Sequence, residues 1–194
     1  MKKQVKILGL SYSQSSAGSY VVVLSEKKGK RKLPIVIKPS DAQQIALKIE
    51  GVKSPRPLTH DLFKTITDTY QIDIKEVYIY AILEGVFYTK LVTSNGIEES
   101  EVDCTAGDGI ALSIVYECPL YVDKEVLEIS GIYINDDGTA VEGYEDEEEE
   151  IKNSKRVVSI EDLEHMIEDA IRNEEYEIAA EIRDKIEKLK KENK

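Results

Sequence analysis

The string Arg56-Pro57-Leu58-Thr59-His60-Asp61 brings several chemically capable side chains within six positions. Arginine grips a phosphate through two parallel N–H donors. Histidine exchanges a proton near neutral pH. An aspartate beside it can orient the imidazole or hold a divalent cation. Pro55 and Pro57 exclude a regular helix or a central strand at this point. Thr59 can cap a helix running from about residue 61 to 70, whose first N–H groups favour an anion. Arg56 and Thr59 therefore read as a phosphate grip, with His60 and Asp61 as catalytic groups beside it. The competing reading is a structural loop in which Asp61 and His60 only cap the helix.

A second acidic pair, Asp103 and Asp108, flanks another helix start, where Thr105 and Asp108 stand three apart. Asp61, Asp103 and Asp108 together can hold Mg²⁺ or Mn²⁺, as phosphodiester hydrolysis requires. Alternatively, Asp103 ends a strand and Asp108 serves the first helical turn. Glu50, at the end of the first helix, reads as solvated. Lys27, Lys28, Lys30, Arg31 and Lys32 form a basic hairpin tip. Such a tip can touch a phosphate backbone, although a solvated turn is the commoner meaning. Tyr78, Tyr80 and Tyr88 alternate along strands. They can stack on bases or pack a half-buried sheet. The chain has no GxGxxG, Walker A, HExxH, GxSxG or CxxC signature.

The elements that must position these groups alternate between strand and helix patterns. Strands are expected at 4–12, 20–25 and 33–37, followed by a helix that Ser40 caps. Gln43 stands at capping-box spacing from Ser40, Asp41 adds charge to the first turn, and Ala42, Ile45, Ala46 and Ile49 form an apolar stripe. The helix after Thr59 has Leu62, Phe63, Ile66 and Tyr70 as its apolar face. Further strands are expected at 75–83, 86–93, 97–104 and 119–122, with helices at 110–117 and 124–131. The Ser94-Asn95-Gly96 step is a hairpin turn. Residues 45–49 (IALKI) and 110–114 (IALSI) echo one another. The expected class is α+β: a mixed, mainly antiparallel sheet with helices, built from two β-β-α-like units, plus a C-terminal α-helical hairpin.

The chain has 194 residues, 41% of them hydrophobic, with 26 basic against 38 acidic side chains. That excludes collagen, a disulfide scaffold and a fully disordered chain, and it argues against a uniformly basic nucleic-acid binder. The negative charge is concentrated at the end, where residues 142–194 hold 19 acidic and 10 basic groups. The body is therefore near neutral, and polyanion binding by it stays open. Two cysteines, Cys104 and Cys118, fit a reducing compartment. No segment approaches the ~20 apolar residues of a membrane span, so a soluble, cytoplasmic protein without a membrane partner is expected. Residues 1–134 read as the body and 135–158 as an acidic flexible linker containing the run Glu145–Glu150. Residues 159–194 read as two antiparallel helices capped by Ser159 and Asp162. So short a hairpin needs its own body, a second copy or another protein to cover its apolar edge, so a protein partner and a homo-oligomer are both expected.

Residues 33–63 (LPIVIKPSDAQQIALKIEGVKSPRPLTHDLF) and 101–128 (EVDCTAGDGIALSIVYECPLYVDKEVLE) resemble the two signature regions of the bifunctional nuclease domain. The resemblance covers roughly residues 5–132. Residues 166–186 (MIEDAIRNEEYEIAAEIRDKI) resemble the UVR motif of the excision-repair proteins UvrB and UvrC, which serves protein–protein contact. The resemblance implies an α+β fold and metal-assisted cleavage of RNA and DNA. It carries functional positions onto Glu50, Arg56, Thr59, His60, Asp61, Asp103 and Asp108. One departure stands out. The family's second signature runs Asp-Ala-Arg-Pro-Ser-Asp-Ala, whereas this chain has Asp103-Cys104-Thr105-Ala106-Gly107-Asp108-Gly109. The rival expectation is a non-catalytic adaptor that recruits a UvrB-, UvrC- or Clp-like partner. Convergence of Asp61, Asp103 and Asp108 in one cleft separates the two.

Overall fold

The computed structural model describes residues 1–13, 18–133 and 158–192. The expected linker at 135–158 lies outside the described residues except for Val158. Three Val- and Ile-rich strands, β1 (Lys2–Tyr12), β2 (Tyr20–Glu26) and β3 (Arg31–Ile37), form an antiparallel meander with Leu10 opposite Val22 and Val22 opposite Ile35. The helix α1 (Pro39–Ile49) follows. A second meander, β4 (Asp73–Leu83), β5 (Val86–Ser94) and β6 (Glu99–Thr105), leads into α3 (Ala106–Val115), and α2 (Thr59–Thr69) connects the two halves. The repeat unit is thus three strands and a helix, one strand more than the sequence echo indicates. IALKI sits in α1 and IALSI in α3.

β7 (Leu120–Asp123) stitches the meanders into one sheet. It runs antiparallel to β1, with Leu120 opposite Val5, and parallel to β4, with Leu120 opposite Val77. After α4 (Lys124–Ser130), the short β8 (Ile132–Tyr133) completes the order β6-β5-β4-β7-β1-β2-β3-β8. α3 is buried on nearly every side, as its Ala, Gly, Ile and Leu content demands. Gly109 lets it approach the sheet: a Cβ there would meet Thr89 Cγ2 at 2.8 Å and Val77 Cγ1 at 3.0 Å.

Two expectations about helices change. α1 begins with Pro39 in its first turn and Lys38 at the cap, so Ser40 lies inside the helix. Proline is suited to that position because it has no N–H to leave unpaired. α2 turns its expected apolar face outward, with Leu62 54%, Ile66 47% and Tyr70 72% exposed. It buries His60 and Thr67 instead, and the Thr67 hydroxyl bonds with Lys64 O and the Tyr116 hydroxyl. The polar partners inside decide how α2 is seated.

The C-terminal hairpin is α5 (Ile160–Arg172) and α6 (Tyr176–Glu192), turned at Glu174 with φ of 61°. Ser159 and Asp162 form the expected capping box. Of the candidate partners, it is the body that covers the hairpin. Leu163, Met166, Ile178, Ile182 and Ile186 share one continuous core with Leu10, Tyr20 and Ile45. Val158 bridges to Leu10 of β1, and Asp162 Oδ1 accepts from Tyr12 N at 2.8 Å. The Tyr20 hydroxyl donates to Asp169 at 3.0 Å, and Tyr12 stacks on His165 at 4.3 Å. Gln43 donates to Glu175 at 3.0 Å, and Lys185 Nζ donates to Glu50 O at 2.6 Å. Glu50 is therefore an anchor for the hairpin. No helix among the described residues is long and apolar enough to cross a membrane.

Because Ile182 is 1% exposed in this shared core, Ile182→Glu should destabilise the whole chain by at least about 3 kcal/mol. Chemical denaturation followed by circular dichroism reads this. A loss confined to the hairpin, with the body's midpoint unchanged, would show that the two do not share a core.

Candidate functional site

Three polar side chains converge where the two repeat units meet. Asp41 comes from the first turn of α1, His60 from the first turn of α2 and Asp108 from the first turn of α3. One ligand atom from each lies within 4.8 Å of the others. His60 Nε2 is 3.5 Å from Asp108 Oδ1. Lys38 Nζ reaches both carboxylates, 3.5 Å from Asp41 Oδ1 and 3.6 Å from Asp108 Oδ2.

The local sequence explains the convergence. Thr105 caps α3: its hydroxyl accepts from Asp108 N at 3.2 Å and donates to Asp108 Oδ2 at 2.7 Å. That reciprocal pair fixes the Asp108 carboxylate at the positive end of the helix dipole. Gly107 leaves room for Asp41, since a Cβ at 107 would lie 2.1 Å from Asp41 Oδ2. The departure from the family signature at Thr105–Gly107 thus has a physical meaning: the threonine caps, and the glycine admits a second carboxylate. Burial and then the charge of Asp108 raise the Asp41 pKa, against the pull of Lys38 and Ser40.

The residues expected from the sequence divide between this cluster and other surroundings. Asp108 and His60 belong to it. Asp61, adjacent in sequence, points elsewhere: Oδ1 lies 2.6 Å from Lys48 Nζ, and Oδ2 accepts from Leu58 N at 3.2 Å. Burial raises its pKa, but Lys48 and the Leu58 N–H outweigh this and hold it below the ordinary carboxylate range. Asp103 is exposed on β6 and accepts from the Tyr80 hydroxyl at 3.4 Å. Arg56 and Thr59 are exposed at the entry to α2. Asp61, Asp103 and Asp108 therefore do not form one cluster, and Asp41 takes the place expected for Asp61. The sequence signal for Asp41 is its position in the first turn of α1, where a dipole charge accounts for it equally well.

A cleft of about 580 Å³ adjoins Asp41, between the end of β3, the start of β5 and the start of α3. Lys38, Asp41, Asp103 and Gly107 line it, and Val36, Phe87 and Tyr88 contribute apolar surface. Cys104 lines it too, with its thiol pushed up to about 12 by burial and by Asp108 and Asp103.

A two-unit α+β sheet with an acidic, histidine-containing junction defines the class of protein, and the comparisons give its family. The model of the bifunctional nuclease domain matches residues 22–135, and that of the UvrB/uvrC motif matches residues 158–192. The chain belongs to the bifunctional nuclease domain family and carries a C-terminal UVR motif. It is also 36% identical, over 165 residues, to uncharacterized proteins from two strains of Mycobacterium tuberculosis. The match covers 82% of this chain and 97% of each relative.

Two outcomes test the geometry. Gly107→Ala should displace Asp41 and destabilise the native chain by about 1–3 kcal/mol, read by chemical denaturation. Unchanged stability in that variant would show that the close approach of Asp41 to residue 107 is not built into the fold. Cys104 and Cys118, the latter with its thiol pushed up to about 11 mainly by burial, should react with a thiol reagent at mildly alkaline pH far more slowly in the native chain than in the unfolded one. Prompt labelling of the native chain would contradict their surroundings.

Proposed function

We propose that this protein hydrolyses phosphodiester bonds of RNA or DNA at the Asp41–His60–Asp108 cluster with the assistance of a divalent metal. The observation that carries the reading is the convergence of two carboxylates and an imidazole within 4.8 Å, in a chain of the bifunctional nuclease family. Mixed oxygen and nitrogen donors suit Mn²⁺ better than Mg²⁺, which prefers oxygen alone. Such an ion, when bound, supplies a Lewis acid for the phosphoryl oxygen.

The chain's own groups have distinct parts. Asp41 and Asp108 hold the cation, and Thr105 keeps Asp108 in position. His60 Nε2 is the third donor, or it carries a proton to the leaving oxygen; both uses require it beside Asp108. Lys38 neutralises the paired carboxylates and is exposed enough to turn toward a phosphate. Arg56 and Thr59 hold the flanking phosphates, and Asp61 holds α2 to Lys48 of α1. The adaptor reading draws on the separation of Asp61, which faces Lys48, from the cluster, while Asp103 lines the adjoining cleft. Its free recruiting hairpin, however, fits poorly with a hairpin whose apolar stripe lies in the shared core. A protein partner of the UVR motif would meet the outer side, where Ile171 and Tyr176 are exposed.

The test is cleavage of single-stranded and structured RNA and DNA with Mn²⁺, with Mg²⁺ and with chelator. Metal-dependent cleavage is expected, with Asp108→Asn and His60→Ala each slower by about 10²-fold while remaining folded. Absence of cleavage under every condition, or full activity in both variants, ends the proposal.

A further inference from the structure

The outer face of the sheet carries an aromatic pair that starts at the cleft. Tyr88 lines the cleft and lies opposite Thr105, the residue that fixes Asp108. Tyr80 of the neighbouring strand lies 6.2 Å from Tyr88 between ring centroids, tilted by 59°, so the rings do not cover one another. They are 37% and 39% exposed. Tyr80 is steadied at its rim by Asp103, and Lys90 sits 5.1 Å from its centroid. Lys90 thus lies over one face of Tyr80. Tyr78 differs in carrying a second cation: Lys2 lies over its ring at 4.6 Å and Lys90 at 5.6 Å, and Asp123 holds its hydroxyl.

We infer that Tyr88 and Tyr80 form a stacking platform for the unpaired bases of a single-stranded nucleic acid whose phosphate enters the cleft at Lys38. The choice of nucleic acid rests on the nuclease reading; the platform itself rests on the geometry above. Exposed aromatic faces bind any base because every base has a π-face, whereas bases inside a duplex are already stacked and paired. A cleft of about 580 Å³, lined by Lys38 beside Asp41 and by Phe87 and Tyr88, is within the usual range for a small-ligand site. Tyr78 contributes rigidity, since Lys2 lies over its ring and Asp123 holds its hydroxyl. The platform's cations are also matched: Lys90 pairs with Glu101 at 2.7 Å, and Lys2 pairs with Glu76. Few counterions are then released on binding, so affinity should fall only shallowly with salt. Stacking, more than charge, supplies the affinity.

The test uses the full chain in EDTA, which keeps binding separate from metal-dependent cleavage. Anisotropy of a short fluorescein-labelled oligothymidylate is compared with that of its duplex. The single strand should bind about tenfold or more tightly than the duplex, with a shallow salt dependence. Tyr80→Ala and Tyr88→Ala should each weaken single-strand binding about tenfold, and Tyr→Phe should preserve it. The chain has no Trp, so Tyr88→Trp adds a unique reporter, whose emission should be quenched by the oligonucleotide. Equal binding of duplex and single strand, or indole emission of the Tyr88→Trp variant that is unchanged by saturating oligonucleotide, overturns the platform. Single-strand binding that depends on both tyrosines, in a chain that never cleaves, would sink the nuclease reading and leave the platform intact. Cleavage that ignores both tyrosines would do the reverse.

Discussion

The contact between the first turn of α1 and the first turn of α3 is the constraint on which the site depends. Each helix follows a three-stranded meander, and each contributes one carboxylate at the junction. Only a residue without a Cβ at 107 lets the α1 carboxylate come so close. Two acidic groups brought together repel, and the cluster offsets this with Lys38 and the positive end of α3. His60 then enters from α2, which is seated by burying its polar side. The position of each helix is thus tied to the chemistry of its first turn.

The strands and helices are largely legible in the sequence because their signals are local. Val- and Ile-rich runs, the Asn95-Gly96 turn and the Ser159–Asp162 capping box all declare themselves within a few residues. The doubled unit is visible as IALKI and IALSI, yet the strand that joins its halves is not, since β7 pairs with two strands that are distant in sequence. The facing of α2 escapes a sequence reading because amphipathic spacing identifies a face without saying what lies beneath it. Here the body offers Tyr116 and Asp108, and these select Thr67 and His60.

For the site, the sequence marks Asp108 and His60 but groups them with Asp61, whereas the structure sets Asp41 beside them. Asp61 adjoins His60 in sequence, but consecutive helical positions point about 100° apart, so one faces the cluster and the other faces Lys48. Asp41 is hidden by a sound local explanation, a negative charge in a first turn. The hairpin's apolar stripes are equally plain, and its need for cover is clear. What covers it emerges only from the long-range contacts with Tyr12, Tyr20, Gln43 and Glu50.

The central strand β1 has a further consequence for how the chain is made. Its flanks are closed by β2, which is nearby in sequence, and by β7, which begins only at Leu120. Val158 adds a bridge at Leu10 later still. During synthesis the first meander can form early, but β1 keeps a bare edge until β7 has left the ribosome. Long-range pairing of this kind slows folding and exposes strand edges in the meantime. The charged Lys2, Lys3 and Lys6 along that strand are the residue types that discourage premature pairing with another nascent chain.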